Sequence, residues 1–153
     1  MRKAFRAIPI LGFAYSRSKV AEDLEANVRS IIRHLIKLWR YPDSGSVSHW
    51  RQEVYSFLYE VGRLKGSNKY PSANFIMKNT YEVNKSDISK WLSGVSRIYD
   101  GKVESTSIRN DIDLMNERIK EYFKWLADVL STDGYVFPED VYSKLKELEF
   151  GYE

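Results

Sequence analysis

A chain of 153 residues with 43% apolar and 29% charged residues is sized for one soluble globular core. Aromatic residues supply 14%, against eight Gly and four Pro, which excludes disordered, collagen-like and low-complexity chains. With no Cys and only two His, disulfide frameworks, thiolate metal sites, cysteine nucleophiles and ordinary zinc sites drop out. The formal net charge of +3 is unevenly spread. Nine Lys/Arg face three Asp/Glu over residues 1–40, nine face six over 41–103, and six face twelve over 104–153. Such a division fits a polyanion-binding surface, and equally two regions that neutralise one another.

The start, MRKAFRAIPILGFAYSR, sets basic residues ahead of an apolar stretch from Ala7 to Tyr15. Pro9 interrupts that stretch and no small-x-small cleavage site follows, so residues 1–17 read as an N-terminal arm rather than a secretory leader. No run approaches the ~18 apolar residues of a membrane span, and the expectation is a soluble, cytoplasmic protein.

From Ser18 to Trp39, Val20, Leu24, Val28, Ile31, Leu35 and Leu38 recur every three or four positions and predict an amphipathic helix that Pro42 ends. Arg29, Arg33, Lys37 and Arg40 fall within ~80° of each other opposite that stripe, a basic ridge able to track a phosphate backbone. The same bases also suit the negative end of the helix dipole, with Glu22, Asp23 and Glu25 at its start. After the turn Asp43 to Ser46, the apolar residues Trp50, Val54, Phe57, Leu58, Val61 and Leu64 mark a second helix, closed by Gly66-Ser67-Asn68. Two shorter periodic stretches follow, Phe75, Ile76, Met77 and Tyr81 and then Ile88, Trp91, Leu92 and Val95. A long helix over 107–130, capped by Ser105 or Ser107, carries Ile108, Ile112, Met115, Ile119, Tyr122, Leu126 and Val129 in a near-heptad stripe. That stripe marks either a dimer contact or the central strut of a bundle. Pro138, Glu139 and Asp140 open a last short helix whose Val141, Leu145 and Leu148 face inward. No strand alternation appears, so the expected fold is all-α: one compact domain over 1–153 with about six helices.

Residues 74–94, NFIMKNTYEVNKSDISKWLSG, resemble the helix-turn-helix of phage-repressor-like DNA-binding proteins. Met77 and Tyr81 stand where the first helix meets the core, Val83 where the turn buries an apolar residue, and Asn84 or Ser86 where the second helix is capped. Ile88, Trp91 and Leu92 take its inward positions. Lys78 stands where the family usually has a small residue, and Glu82 where it usually has Gly. The resemblance implies DNA-edge contacts from Lys85, Ser86, Ser89, Lys90 and Ser93, and phosphate contacts from Asn74 and Lys78. Asp87 is the acidic exception on that face. An alternative reading makes these two ordinary bundle helices with a solvated outer face.

The segment HLIKLWRYPDSGSVSHWRQEV, with FPEDVYSKLKELEF near the C-terminus, resembles the bacterial family catalogued as domain of unknown function twenty-nine. His34, Leu35, Lys37, Pro42, Trp50, Phe137, Pro138 and Glu139 carry the match. That resemblance implies an α-helical fold and no known activity. Arg29 and His34, at Arg-x4-His spacing, are similar to the pair used by the HEPN ribonucleases, but five residues apart on one helix they point about 140° away from each other. Asp113, Glu117 and Glu121 lack the Glu-x-x-His partners of a di-metal bundle, and no phosphate-binding Gly loop or Gly-x-Ser-x-Gly elbow is present. The sequence therefore reads as a non-enzymatic binder of double-stranded DNA, a small homodimeric transcriptional regulator without cofactor, metal or small-molecule substrate. The other reading is a helical protein-interaction module.

Overall fold

The structure is a computed structural model and describes residues 4–67, 73–104, 107–132 and 136–151. Its helices are α1 (Ala4–Arg40), α2 (Val47–Ser67), α3 (Ala73–Asn84), α4 (Ile88–Tyr99), α5 (Ile112–Thr132) and α6 (Pro138–Glu147), with a 3-10 turn, Lys85–Asp87, between α3 and α4. Among the described residues there is no strand, and no helix is long and apolar enough to cross a membrane.

The C-terminal half of α1 is the axis of the fold. Leu24 and Val28 present one buried stripe, but from Ile31 onward Ile31, Ile32, Leu35, Ile36, Leu38 and Trp39 are all buried, which widens the buried face to nearly half of the helix. α2, α3, α4 and α5 all pack on it. This packing leaves Arg33 exposed but reaches the last turn on all sides, and that changes the basic ridge. Lys37 and Arg40 are only 8% and 7% exposed, so the expected four-residue ridge is interrupted after Arg33. α1 also begins at Ala4, taking in most of the segment expected as an arm. The stretch from Ala7 to Tyr15 is a continuous apolar run rather than a spaced stripe, and so carries no helical period to read.

α1 stops where Pro42 predicts, and Ser44 shapes the reversal: its N–H donates to Tyr41 O at 3.1 Å and its Oγ accepts from Ser46 N at 3.1 Å. α2 then buries Trp50, Val54, Leu58, Val61 and Leu64 as the spacing predicts.

The long helix starts later than expected. Ser105 lies outside the described residues, and Ser107 to Asp111 is not helical. Asp111 is the residue that caps α5, its Oδ1 accepting from Leu114 N at 3.1 Å. Chain just ahead of it is held elsewhere, because Arg109 N donates to the terminal carbonyl of α1, Arg40 O, at 3.0 Å. Ile108 and Ile112, read as core positions, are in consequence exposed. Of the rest of the stripe, Met115, Ile119, Tyr122 and Leu126 are buried within this chain and Val129 is half-buried, so α5 acts as a strut. Tyr81 of α3 stacks on its Phe123 with ring centroids 5.2 Å apart and donates to Asn116 Oδ1 at 3.0 Å.

Tyr122 is fully buried, yet its hydroxyl has no hydrogen-bond partner among the described residues. Burial also drives its pKa far above the usual tyrosine value. Tyr122→Phe removes the orphaned hydroxyl at nearly constant shape, and should raise the free energy of unfolding by about 1 kcal/mol. A lower urea midpoint for the variant would show that the hydroxyl is satisfied.

Candidate nucleic-acid interface

α3 and α4 meet without an intervening coil. α3 runs on through the expected turn to Asn84, and the 3-10 turn leads into α4 with no residue at positive φ among 82–87. The physical cause is visible in the residues. Glu82 cannot take the left-handed backbone that Gly would, and it is instead helical and paired with Lys85 at 2.7 Å. This pairing holds the Glu82 carboxyl below its ordinary value. Val83, expected to be buried in the turn, is 73% exposed. Asn84 donates to Thr80 O at 2.8 Å, and neither Asn84 nor Asp87 makes a side-chain cap. The inward face of α4 is as predicted: Ile88, Leu92 and Val95 are buried, with Trp91 packed at their edge.

All five residues expected to reach base edges, Lys85, Ser86, Ser89, Lys90 and Ser93, are exposed. On the helical wheel Ser86, Lys90, Ser93 and Arg97 fall within about 60° of one another, opposite the buried stripe. Arg97 is a residue the sequence reading passed over. Its signal was the seven-residue spacing from Lys90, which returns it to the same face. Lys78 is exposed on α3; Asn74 belongs to α3, but its side chain lies outside the described ones.

Electrostatically α4 differs from its neighbours. Its twelve residues, ISKWLSGVSRIY, contain Lys90 and Arg97 and no carboxylate. Elsewhere the described cations are widely paired: Arg29 with Glu25 at 3.4 Å, Arg63 with Glu60, Lys144 with Glu147 at 3.2 Å, and Arg118 with Glu121 at 3.2 Å. Asp100, just past α4, is fully committed to Arg40 and Tyr41. Gly94 adds a second local feature. A Cβ placed there meets nothing within 4 Å, so the fold does not require this glycine, which costs α4 roughly 1 kcal/mol relative to Ala.

The former ridge divides into two roles. Arg33 is exposed, with its guanidinium 5.9 Å from the Trp91 ring centroid. The Lys37 ammonium lies 5.5 Å from the Trp50 ring centroid and 5.0 Å from that of Tyr99, and donates to the Tyr99 hydroxyl at 3.4 Å. Arg40 makes a two-pronged pair with Asp100, Nε to Oδ1 at 3.1 Å and Nη2 to Oδ2 at 2.9 Å, while Nη1 donates to Arg109 O and Asn110 Oδ1. Lys37 and Arg40 are thus structural cations that tie α1 to α4.

The chain's two histidines converge on one carboxylate. His34 Nε2 lies 3.2 Å and His49 Nε2 3.1 Å from Glu53 Oε1. His34 Nδ1 lies 2.7 Å from Ser30 O, which assigns the proton to Nδ1. Arg29 is drawn to Glu25 and His34 to Glu53, so the Arg-x4-His pair is engaged by different partners. No group of three His, Cys, Asp or Glu among the described residues is arranged to hold a metal ion.

Burial, reinforced by Lys37, lowers the pKa of His34 below 6.5 against the opposing pull of Ser30 O and Glu53. A histidine with a lower pKa folded than unfolded stabilises fully above about pH 6.5, and that contribution is lost as pH falls through the folded value. Melting temperature should therefore fall between pH 7 and 5, and His34→Gln should flatten that part of the profile. An equally steep profile in the variant would assign the loss to other groups.

No protein-family model matches the chain, and neither a curated protein nor a solved structure matches it.

Proposed function

We propose that this chain binds double-stranded DNA without catalysis, using the outer face of α4 and the 3-10 turn before it as a helix-turn-helix-like element. The observation that carries this reading is a helix free of carboxylates whose exposed face holds Lys90 and Arg97 among Ser86, Ser89 and Ser93. Short hydroxyl side chains allow a helix to approach a groove closely, and lysines supply the attraction to phosphate. Lys78 and Asn74 belong to the flanking phosphate contacts in this reading. Asp87 selects against phosphate proximity at the start of α4. One short face gives limited affinity, so the reading includes two copies on one duplex. Because the α5 stripe is spent in the chain's own core, such a pairing uses another surface.

The test is fluorescence anisotropy with a labelled duplex over roughly 50–200 mM salt, a range across which phosphate-driven binding weakens by orders of magnitude. Affinity should fall steeply as salt rises, and Lys85→Ala with Lys90→Ala should reduce the salt slope by about two. Absence of binding at the lowest salt ends the reading. The exposed Val83 favours a second one, a helical module that docks another protein on α3.

A further inference from the structure

Around α4 stand two arginines without a carboxylate partner among the described residues and one glycine that the backbone does not require. Arg33 and Arg97 are exposed, and no carboxylate among the described residues pairs with either. Arg33 belongs to α1, but its position over Trp91 sets it beside the first turn of α4, whereas Arg97 lies in the last turn. Trp91 and Arg97 are separated by about 9 Å along the helix axis. Around the helix, Trp91 and Arg97 stand about 60° to either side of Gly94, so with Gly94 toward the groove the two guanidiniums flank it toward the walls of a major groove about 12 Å wide. Between them lies Gly94, with open space where a side chain would stand.

We infer that Arg33 and Arg97 contact the phosphate walls on either side of α4, and that Gly94 is the point of closest approach between nucleic acid and helix backbone. This rests on the DNA-binding reading above and adds Arg33 and Arg97, which lie outside the helix-turn-helix resemblance. Trp91 takes part as well. By holding the Arg33 guanidinium against its ring, it limits the side-chain freedom lost when a phosphate is bound.

The experiment compares the full chain with Arg33→Gln, Arg97→Gln and Gly94→Ala in the same duplex titrations, with Lys124→Gln on the exposed face of α5 as control. Each arginine variant should weaken binding roughly three- to tenfold near 100 mM salt and lower the salt slope by about one, to a similar extent on unrelated duplex sequences. Gly94→Ala should weaken binding while raising the melting temperature, which separates loss of approach from loss of fold. Lys124→Gln should change neither. If the unmodified chain binds duplex with a salt slope that Lys90→Ala reduces, but the arginine and glycine variants bind as it does, this inference is overturned and the DNA-binding reading stands. If the unmodified chain binds no duplex, both fall.

Discussion

Asp100→Ala should lower the free energy of unfolding by about 1.5–3 kcal/mol, the range for hydrogen bonds to a charged group and less than for a pair buried on both sides. The reason lies in the unequal surroundings of the two charges. The Arg40 side chain is 8% exposed, whereas that of Asp100 is 38% exposed. Deleting the carboxylate leaves a guanidinium enclosed by the core, with only the neutral acceptors Arg109 O and Asn110 Oδ1. Tyr41 also loses the acceptor of its hydroxyl proton. Its pKa is pushed up to about 12, by burial first and by Asp100 second, so it remains a neutral donor at ordinary pH. The Arg40 bonds hold the Asp100 carboxyl below its usual value, which places the loss of this stabilisation in acid: present above about pH 4, it disappears as pH falls through the folded pKa. Arg40→Met should cost less than Asp100→Ala, because the remaining carboxylate reaches water. Urea unfolding with an unchanged m-value is the measurement. An Asp100→Ala cost below about 1 kcal/mol would show that the pair is solvated and that Arg40 does not fasten the 100–111 connection to α1.

The same cluster marks where sequence pattern stops being informative. Apolar spacing located the buried faces well: Leu24, Val28, Ile31 and Leu35 on α1, Val54, Leu58 and Val61 on α2, Val141, Leu145 and Leu148 at the end. Each of those residues reports its surroundings through neighbours three or four positions away. Lys37 and Arg40 obey the same spacing as Arg29 and Arg33, and only partners about sixty residues distant, Tyr99 and Asp100, make them interior. Asp111 was likewise hidden as a cap, since the start of α5 depends on where Arg109 is anchored to α1. At the candidate interface the exposed set Lys85, Ser86, Ser89, Lys90 and Ser93 was legible from the inward stripe of α4. The junction ahead of it was not, because Val83 was assigned by analogy to a turn that Glu82 and Lys85 replace with helix. Arg97 was legible and missed: the resemblance ended at residue 94, but the helix continues to Tyr99.

Phe150→Ala should cost about 3–5 kcal/mol, as large as the loss of any single core aromatic. Phe150 is fully buried, and its ring lies 6.3 Å from that of Tyr122 in an edge-to-face arrangement. What brings it there is the way α6 ends. Phe150 N donates to Leu145 O at 2.7 Å and Glu149 N to Lys146 O at 3.1 Å, the paired bonds of a Schellman stop. Glu149 takes the left-handed position at φ 66°, where Gly is usual and another residue costs roughly 1–2 kcal/mol. Its side chain offsets that cost, with Oε2 at 3.3 Å from Arg118 and Oε1 at 3.5 Å from Arg109. Gly151 follows at φ 55°, and a Cβ there meets Leu38 O at 3.1 Å and the side chains of Leu38 and Val47 at 3.2 Å. Gly151 is therefore wedged where α1 gives way to α2. Gly151→Ala adds a strained backbone to a tight contact and should cost about 1–3 kcal/mol. Phe150→Leu, which keeps most of the volume, should cost less than half as much as Phe150→Ala. If Phe150→Ala and Phe150→Leu unfold at the same urea concentration as the unmodified chain, the terminal hook is not part of the core, and the reach of the fold ends at Leu148.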